Sequence, residues 1–297
     1  MTLHLACSCD PEGNYAPHSA AMIRSALVNA EAVQVEVDYL TGPGFPAESR
    51  DLIAAMVEEN GGTITFHEIE DERVAGLPTM EHAPESLWYR VFLPELLPSL
   101  DRVLYLDLDV IVLDALEPLW HTELGEHYVA AVTNVFMEGH ERRGAMLGLE
   151  SDEVYFNSGV LLMHLAAWRR DDCTTAILDY AREHAGRLGW ADQDTMNVLL
   201  GHRRLPLHPR WNCMNSVLEF PAAVDVFGRE AVEEARRNPA IRHFEGPSIN
   251  KPWHYLCDHS MRELYLEHRR QTPWPRVRPE GVTPANVARR LVRRVLP

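Results

Sequence analysis

From Arg102 to Asp114 the chain reads RVLYLDLDVIVLD, an apolar run broken by two aspartates one residue apart. A short Val/Leu/Tyr run of this kind predicts a strand buried on both faces, as in a parallel sheet. Parallel strands need crossover connections, usually helices, so the run commits the chain to an α/β fold. Side chains alternate along a strand, so Asp107 and Asp109 are expected to face one side while Leu108 points into packing. Two adjacent carboxylates repel and are costly to bury unpaired. A divalent cation between them removes the conflict, and carboxylate oxygens suit Mg²⁺ or Mn²⁺.

The rest of the first half supports this reading. Leu3 to Ala6, Val33 to Leu40, Thr63 to Ile69 and Arg102 to Leu106 predict strands. Between them, Ser19 to Asn29, Glu48 to Glu59 and Glu85 to Leu97 predict helices, and Asn60-Gly61-Gly62 supplies a helix stop. Three strand–helix alternations give parallel strands with right-handed crossovers, and ligands of such sheets bind beyond the C-terminal strand ends. In the second half, Tyr128 to Thr133, Tyr155 to Leu165, Leu205 to His208 and Ile241 to Phe244 predict strands, and Ala166 to Arg187 and Asp192 to Leu200 helices. Val135 to Asp152 and Asn212 to Gly228 are expected as loops or lids.

With 297 residues and 46% hydrophobic content, the chain can fill a sizeable core. Its net charge of −16 argues against nucleic acid as a partner. No apolar run reaches the roughly 18 residues expected of a membrane span, and MTLHLACSCD does not have the pattern of a secretory signal, so a cytoplasmic location is expected. Five cysteines without a C-x-x-C pair fit reduced thiols better than a disulfide or zinc framework.

Several further groups stand in series with the aspartates. They are Asp10 with Asn14-Tyr15, Arg90, the run Tyr155 to Val160 containing Asn157-Ser158, Asp192-Gln193-Asp194, and His243-Phe244 followed by Gly246 and Lys251-Pro252-Trp253. In this order and spacing, over about residues 3–256, the chain resembles glycosyltransferase family 8, which includes bacterial lipopolysaccharide galactosyl- and glucosyltransferases and glycogenin.

The resemblance implies a GT-A fold, with a Rossmann-like, mostly parallel central sheet flanked by helices. It implies a retaining hexosyltransferase that moves glucose or galactose from UDP-glucose or UDP-galactose to a hydroxyl of a glycan or lipid-linked glycan. Asp107, Asp109 and His243 would hold Mn²⁺ or Mg²⁺. Asp10, Asn14, Tyr15, Arg90, Leu108, Asn157, Ser158, Gly246 and Lys251 would bind the donor, and Asp192, Gln193 and Asp194 would act at the sugar. These roles suit the residue types. Tyr15 can stack on uracil and Asp10 can accept its N–H. Lys251, the sole lysine of the chain, offers a compact positive charge for a phosphate. An amide is a poor nucleophile, so Gln193 favours departure and attack on one face of the sugar over a covalent intermediate; a mobile Asp194 would restore the covalent route.

Ordinary readings coexist with these. Asp10 also reads as a loop aspartate, Arg90 as a helix-surface arginine, Asn157-Ser158-Gly159 as a turn, and Asp192 and Asp194 as capping groups at a helix start. At the level of function, the alternatives are a non-catalytic nucleotide-sugar-binding protein and a nucleotidyltransferase. The latter would carry a basic glycine-rich loop after the first strand, where CSCDPEGNYAP has no basic residue.

Residues 1–260 are expected to form the transferase domain and 261–297 a basic, partly helical tail. From Arg262 onward nine arginines face only Glu263, Glu267 and Glu280. Thr283-Pro284 predicts a helix start, with Val287, Leu291, Val292, Val295 and Leu296 on one face and Arg289, Arg290, Arg293 and Arg294 on another. Such a helix suits peripheral contact with an anionic membrane, docking on the acidic body, or self-association.

Overall fold

A computed structural model of the chain describes residues 2–30, 33–79, 85–136 and 142–295, with side chains to residue 292 in the last helix. The first four strands are β1 (Thr2–Ser8), β2 (Gln34–Thr41), β3 (Thr63–Glu68) and β4 (Val103–Leu106). They pair in parallel in the order β3-β2-β1-β4. Beyond β4 comes a two-residue turn and a short strand, β5 (Val110–Val112). The remaining strands are β6 (Val129–Ala131), β7 (Val160–Met163), β8 (Arg204–Pro206) and β9 (Ile241–His243). The large sheet continues β4-β7-β6-β8, with β7 antiparallel to both neighbours, while β5 and β9 form a separate antiparallel ribbon.

The alternation along β4 divides the core. Leu104 and Leu106 join the cluster under the helices Ala16–Val28 and Ala47–Glu59, and Val103 and Tyr105 join the opposite cluster with Trp88, Trp168 and Met196. All four are at most 1% exposed, which is why the segment is apolar at every position. Truncating such a leucine to alanine costs about 2–5 kcal/mol. The helix Ala47–Glu59 stops where Asn60-Gly61-Gly62 predicts: Gly61 has φ +81°, and Gly62 N–H returns to the Val57 carbonyl at 3.0 Å.

Several expected elements differ. Glu85 to Leu97 is a 3₁₀ helix over Glu85–Phe92 followed by one α turn, Leu93–Leu96. Pro94 lacks an N–H and fits only the first turn of an α-helix, so the α-helix cannot extend back through it. The expected Tyr155–Leu165 strand is interrupted: Phe156 makes an isolated bridge to Thr133, Asn157 turns its side chain back to accept from Gly159 N–H at 3.0 Å, and the continuous strand begins at Val160. The expected Ala166–Arg187 helix is two, Leu165–Arg170 and Cys173–Glu183, broken where Asp172 takes φ +49°. Asn212 to Gly228 is no open loop; it contains helices Asn215–Glu219 and Ala222–Phe227. Of Val135 to Asp152, residues 137–141 lie outside the described residues, and a short helix spans Arg143–Leu147.

The helix Arg262–Arg270 packs on Ala16–Val28, with Tyr265 and Leu266 buried beside Trp253. The buried face of this helix ties residues 262–270 to the body. The last helix runs Pro284–Val295 with Thr283 Oγ1 accepting from Asn286 N–H at 3.2 Å, as its start signal predicts; Leu296 lies outside the described residues. Leu291 and Val292 are exposed, and Arg290 donates to the Tyr255 carbonyl at 2.6 Å. Among the described residues no helix is long and apolar enough to cross a membrane.

Candidate active site

The aspartate pair sits at the turn between β4 and β5. Asp107 N–H donates to the Gly159 carbonyl at 2.8 Å, continuing the β4–β7 ladder, and Phe244 N–H donates to the Asp109 carbonyl at 2.9 Å, continuing the β5–β9 ribbon. Backbone pairing thus brings together residues more than 130 positions apart. Asp107, Asp109 and His243 offer ligand atoms within 4.8 Å of one another, the one such group of three or more among the described residues. Gly159 completes the wall: a Cβ there would collide with the His243 ring and stand 2.8 Å from Asp107 Oδ2.

The surrounding groups keep Asp109 charged. Asp109 is buried, yet Lys251 and His243 hold its carboxyl well below the usual range. Burial opposes charge on His243, but the charge of Asp109 and its hydrogen bond outweigh this and raise the imidazole pKa. His243 Nδ1 lies 2.9 Å from Asn212 Oδ1, and Nε2 lies 3.2 Å from Asp109 Oδ1. With Nδ1–H given to Asn212, a neutral ring presents its Nε2 lone pair to a carboxylate oxygen. Only a proton or a metal cation reconciles those two acceptors, so the donor set fits a divalent metal. Lys251 Nζ pairs with Asp109 Oδ2 and donates to the Phe244 carbonyl at 3.2 Å, placing its charge at the rim of the same group.

Arg90 is not a helix-surface residue. Its buried guanidinium lies 3.0 Å from Asp107 and 3.4 Å from Asp192, donates to the Ser158 carbonyl at 2.7 Å, and stacks on Tyr105. Burial alone would lower its pKa, and the two carboxylates and Tyr105 more than reverse that. Asp192 is buried with Oδ2 lacking a hydrogen-bond partner. Burial pushes its carboxyl up to about 6, Arg90 opposing and Asp107 adding to the rise.

Gln193 is held at both ends. Its Oε1 accepts from Ser158 N–H at 3.0 Å, Ser158 Oγ at 3.2 Å and Asn157 Nδ2 at 3.3 Å, while its Nε2 donates to the Tyr155 hydroxyl at 3.2 Å. Asp194, expected beside it at the sugar, stands apart and is fully buried. It accepts from Tyr155 at 2.7 Å, from Trp190 N–H at 2.8 Å and from Arg143, a set of partners that leaves it no freedom to swing inward.

At the end of β1, Asp10 closes the loop that carries Tyr15, accepting from Asn14 N–H at 2.8 Å and Tyr15 N–H at 2.9 Å; Asn14 is exposed. Asp10 Oδ1 also accepts from Cys9 Sγ at 3.3 Å, so it is Oδ2 that retains a lone pair. Tyr15 is half-buried, edge-on to Trp253, and Trp253 stacks on His18 at 3.8 Å. Leu108 is partly exposed and packs against the core. Gly246 has φ +97°, and a Cβ would meet Asn250 Nδ2 at 2.7 Å, so the turn itself requires glycine. The sequence reading missed Asn212, Tyr155 and Arg143 as parts of the site. Tyr155 opens the run singled out through Val160 but was given no role of its own, while Asn212 and Arg143 lie in no spacing pattern and reach the site only through the fold.

Likeness in fold and sequence to known proteins places the chain among GT-A glycosyltransferases. The galactosyltransferase LgtC, solved in complex with donor and acceptor sugar analogs, superposes with a TM-score of 0.81 at 28% identity, covering 94% of this chain and 98% of that one. General stress protein A of Bacillus subtilis is 28% identical over 89% of this chain and 92% of its own length. A lipopolysaccharide 1,2-glucosyltransferase of Escherichia coli is 24% identical over 88% and 76% respectively. The profile of glycosyl transferase family 8 matches residues 6–257, and the chain belongs to that family.

Proposed function

We propose that this protein is a divalent-metal-dependent, retaining glycosyltransferase that moves glucose or galactose from a UDP-sugar to a hydroxyl of a glycan or lipid-linked glycan. The observation that carries the reading is the convergence of Asp107, Asp109 and His243 on one point beside Lys251 and the Gln193 cluster. A relative named a glucosyltransferase and a structural neighbour named a galactosyltransferase support the choice of donor sugars.

When bound, Mn²⁺ or Mg²⁺ supplies positive charge against the diphosphate as it departs. Asp107, Asp109 and His243 hold it. Lys251, on a flexible stem, exchanges its Asp109 contact for a phosphate oxygen and adds a second positive charge where negative charge develops. Tyr15 offers a face for uracil. Asp192, whose Oδ2 makes no hydrogen bond and lies 3.4 Å from Arg90 Nε, accepts from a sugar hydroxyl. Gln193 is an amide and Asp194 is engaged elsewhere, so the sugar–phosphate bond breaks and the acceptor hydroxyl attacks on the same face. The acceptor proton passes to a departing phosphate oxygen. The basic last helix adds a cytoplasmic-side membrane contact that places the enzyme near lipid-linked acceptors.

Incubation with UDP-glucose and UDP-galactose tests the assignment. UDP release that needs Mn²⁺ or Mg²⁺ and stops with chelator is expected, and NMR of freshly formed product shows the α anomer. A β product contradicts retention. Binding without turnover across a broad acceptor panel favours the non-catalytic nucleotide-sugar binder.

A further inference from the structure

Asn212 is fully buried, and nothing in its sequence neighbourhood marks it as functional. Its Oδ1 faces His243 Nδ1 at 2.9 Å, and its Nδ2 donates to Asn157 Oδ1 at 2.8 Å. We propose that Asn212 is the positioning residue of the metal centre: it commits the His243 proton to Nδ1, aims Nε2 at the metal position, and couples the imidazole to the amide of Gln193. The inference rests on the metal reading given above.

The direction of every bond follows from groups that have no choice. Gly159 N–H can only donate, and it donates to Asn157 Oδ1, so that atom is an oxygen and its contact with Asn212 must be through Nδ2. The other end of the Asn212 amide, toward His243, is therefore its oxygen, an obligate acceptor. Ser158 N–H fixes Gln193 Oε1 in the same way, which leaves Gln193 Nε2 to donate to Tyr155, whose hydroxyl then donates to Asp194. Asp194 as a carboxylate only accepts. The chain therefore runs one way, from His243 through Asn212, Asn157, Gln193 and Tyr155 into Asp194, and backbone donors pin it at two points. Reversing the imidazole would set its Nδ1 lone pair against Asn212 Oδ1, and flipping Asn212 would set two oxygens against each other.

A packing role and a positioning role separate by shape against chemistry. Asn212→Leu keeps the volume and removes the acceptor; Asn212→Asp keeps the acceptor. With Mn²⁺ alone titrated and the free ion followed by electron paramagnetic resonance, Asn212→Leu is expected to weaken binding by about 10–100-fold. Asn212→Asp, which keeps the acceptor toward His243 but sets an oxygen against Asn157 Oδ1, is expected to lose clearly less than the leucine variant. Equal affinity in the leucine variant and the parent, or equal loss in both variants, overturns the proposal. Should the leucine variant fail to fold, the parent decides alone. In ¹⁵N-histidine-labelled protein saturated with Mg²⁺ and UDP, with His243 signals assigned by their loss in His243→Gln, the proton is expected on Nδ1; a proton on Nε2 overturns the proposal. A parent protein that leaves Mn²⁺ free in solution ends the metal reading itself, a result distinct from either outcome for Asn212.

Discussion

The Tyr155 hydroxyl donates to Asp194 Oδ1 at 2.7 Å, and this bond makes the carboxylate next to Gln193 in sequence a structural acceptor. Asp194 also carries the ion pair with Arg143, whose guanidinium lies over Trp190. Removing one partner of a buried pair leaves the other uncompensated. Asp194→Asn is therefore expected to lower stability by about 3–5 kcal/mol in urea unfolding. A loss below 1 kcal/mol together with abolished turnover would return Asp194 to the chemistry.

Gly159 leaves the space the metal ligands occupy. In Gly159→Ala the methyl group must displace the His243 ring or Asp107, and both are metal ligands in this account. Mn²⁺ affinity measured by calorimetry should fall at least about tenfold while far-ultraviolet circular dichroism stays unchanged.

Asp192 gives a pH signature. Its carboxyl titrates near 4 in the unfolded chain and is pushed up to about 6 in the fold, by burial first. Between those values the folded state holds the extra proton, so this group's contribution to stability is greatest below pH 4 and is lost as pH rises through 6. In metal-free protein, Asp192→Asn should flatten the stability profile across pH 4–6, with the parent losing on the order of 3 kcal/mol more over that range. Parallel profiles would contradict the buried, strained carboxyl.

Among the described residues the last helix meets the body chiefly through Arg290 on Tyr255. Deletion of residues 284–297 should leave the melting temperature within a few degrees and abolish pelleting with anionic vesicles, an effect that salt also weakens. Equal pelleting of both forms would remove the membrane contact.

The first half of the fold was legible because period-two apolar runs alternate with helical ones and Gly61 marks a stop. Asp107 and Asp109 stood out because two carboxylates after an apolar strand demand an explanation. What was not legible depends on long-range pairing. β9 was legible as Ile241 to Phe244, but β5 was not separated from the apolar run before it, and nothing local showed that the two pair in the register that sets His243 against Asp109. Asn212 looked like the start of a lid because nothing local distinguishes a buried amide from a loop asparagine. Arg90 and Asp194 were recognised by position, but whether each faces a ligand or another side chain is decided by packing.

Calorimetric titration with UDP, in the presence and absence of Mn²⁺, tests the central claim most directly when the parent is compared with Asp109→Asn. The account predicts tight, Mn²⁺-dependent binding in the parent and a loss of at least about tenfold in the variant. UDP bound equally well without the cation, or unchanged by Asp109→Asn, would contradict it.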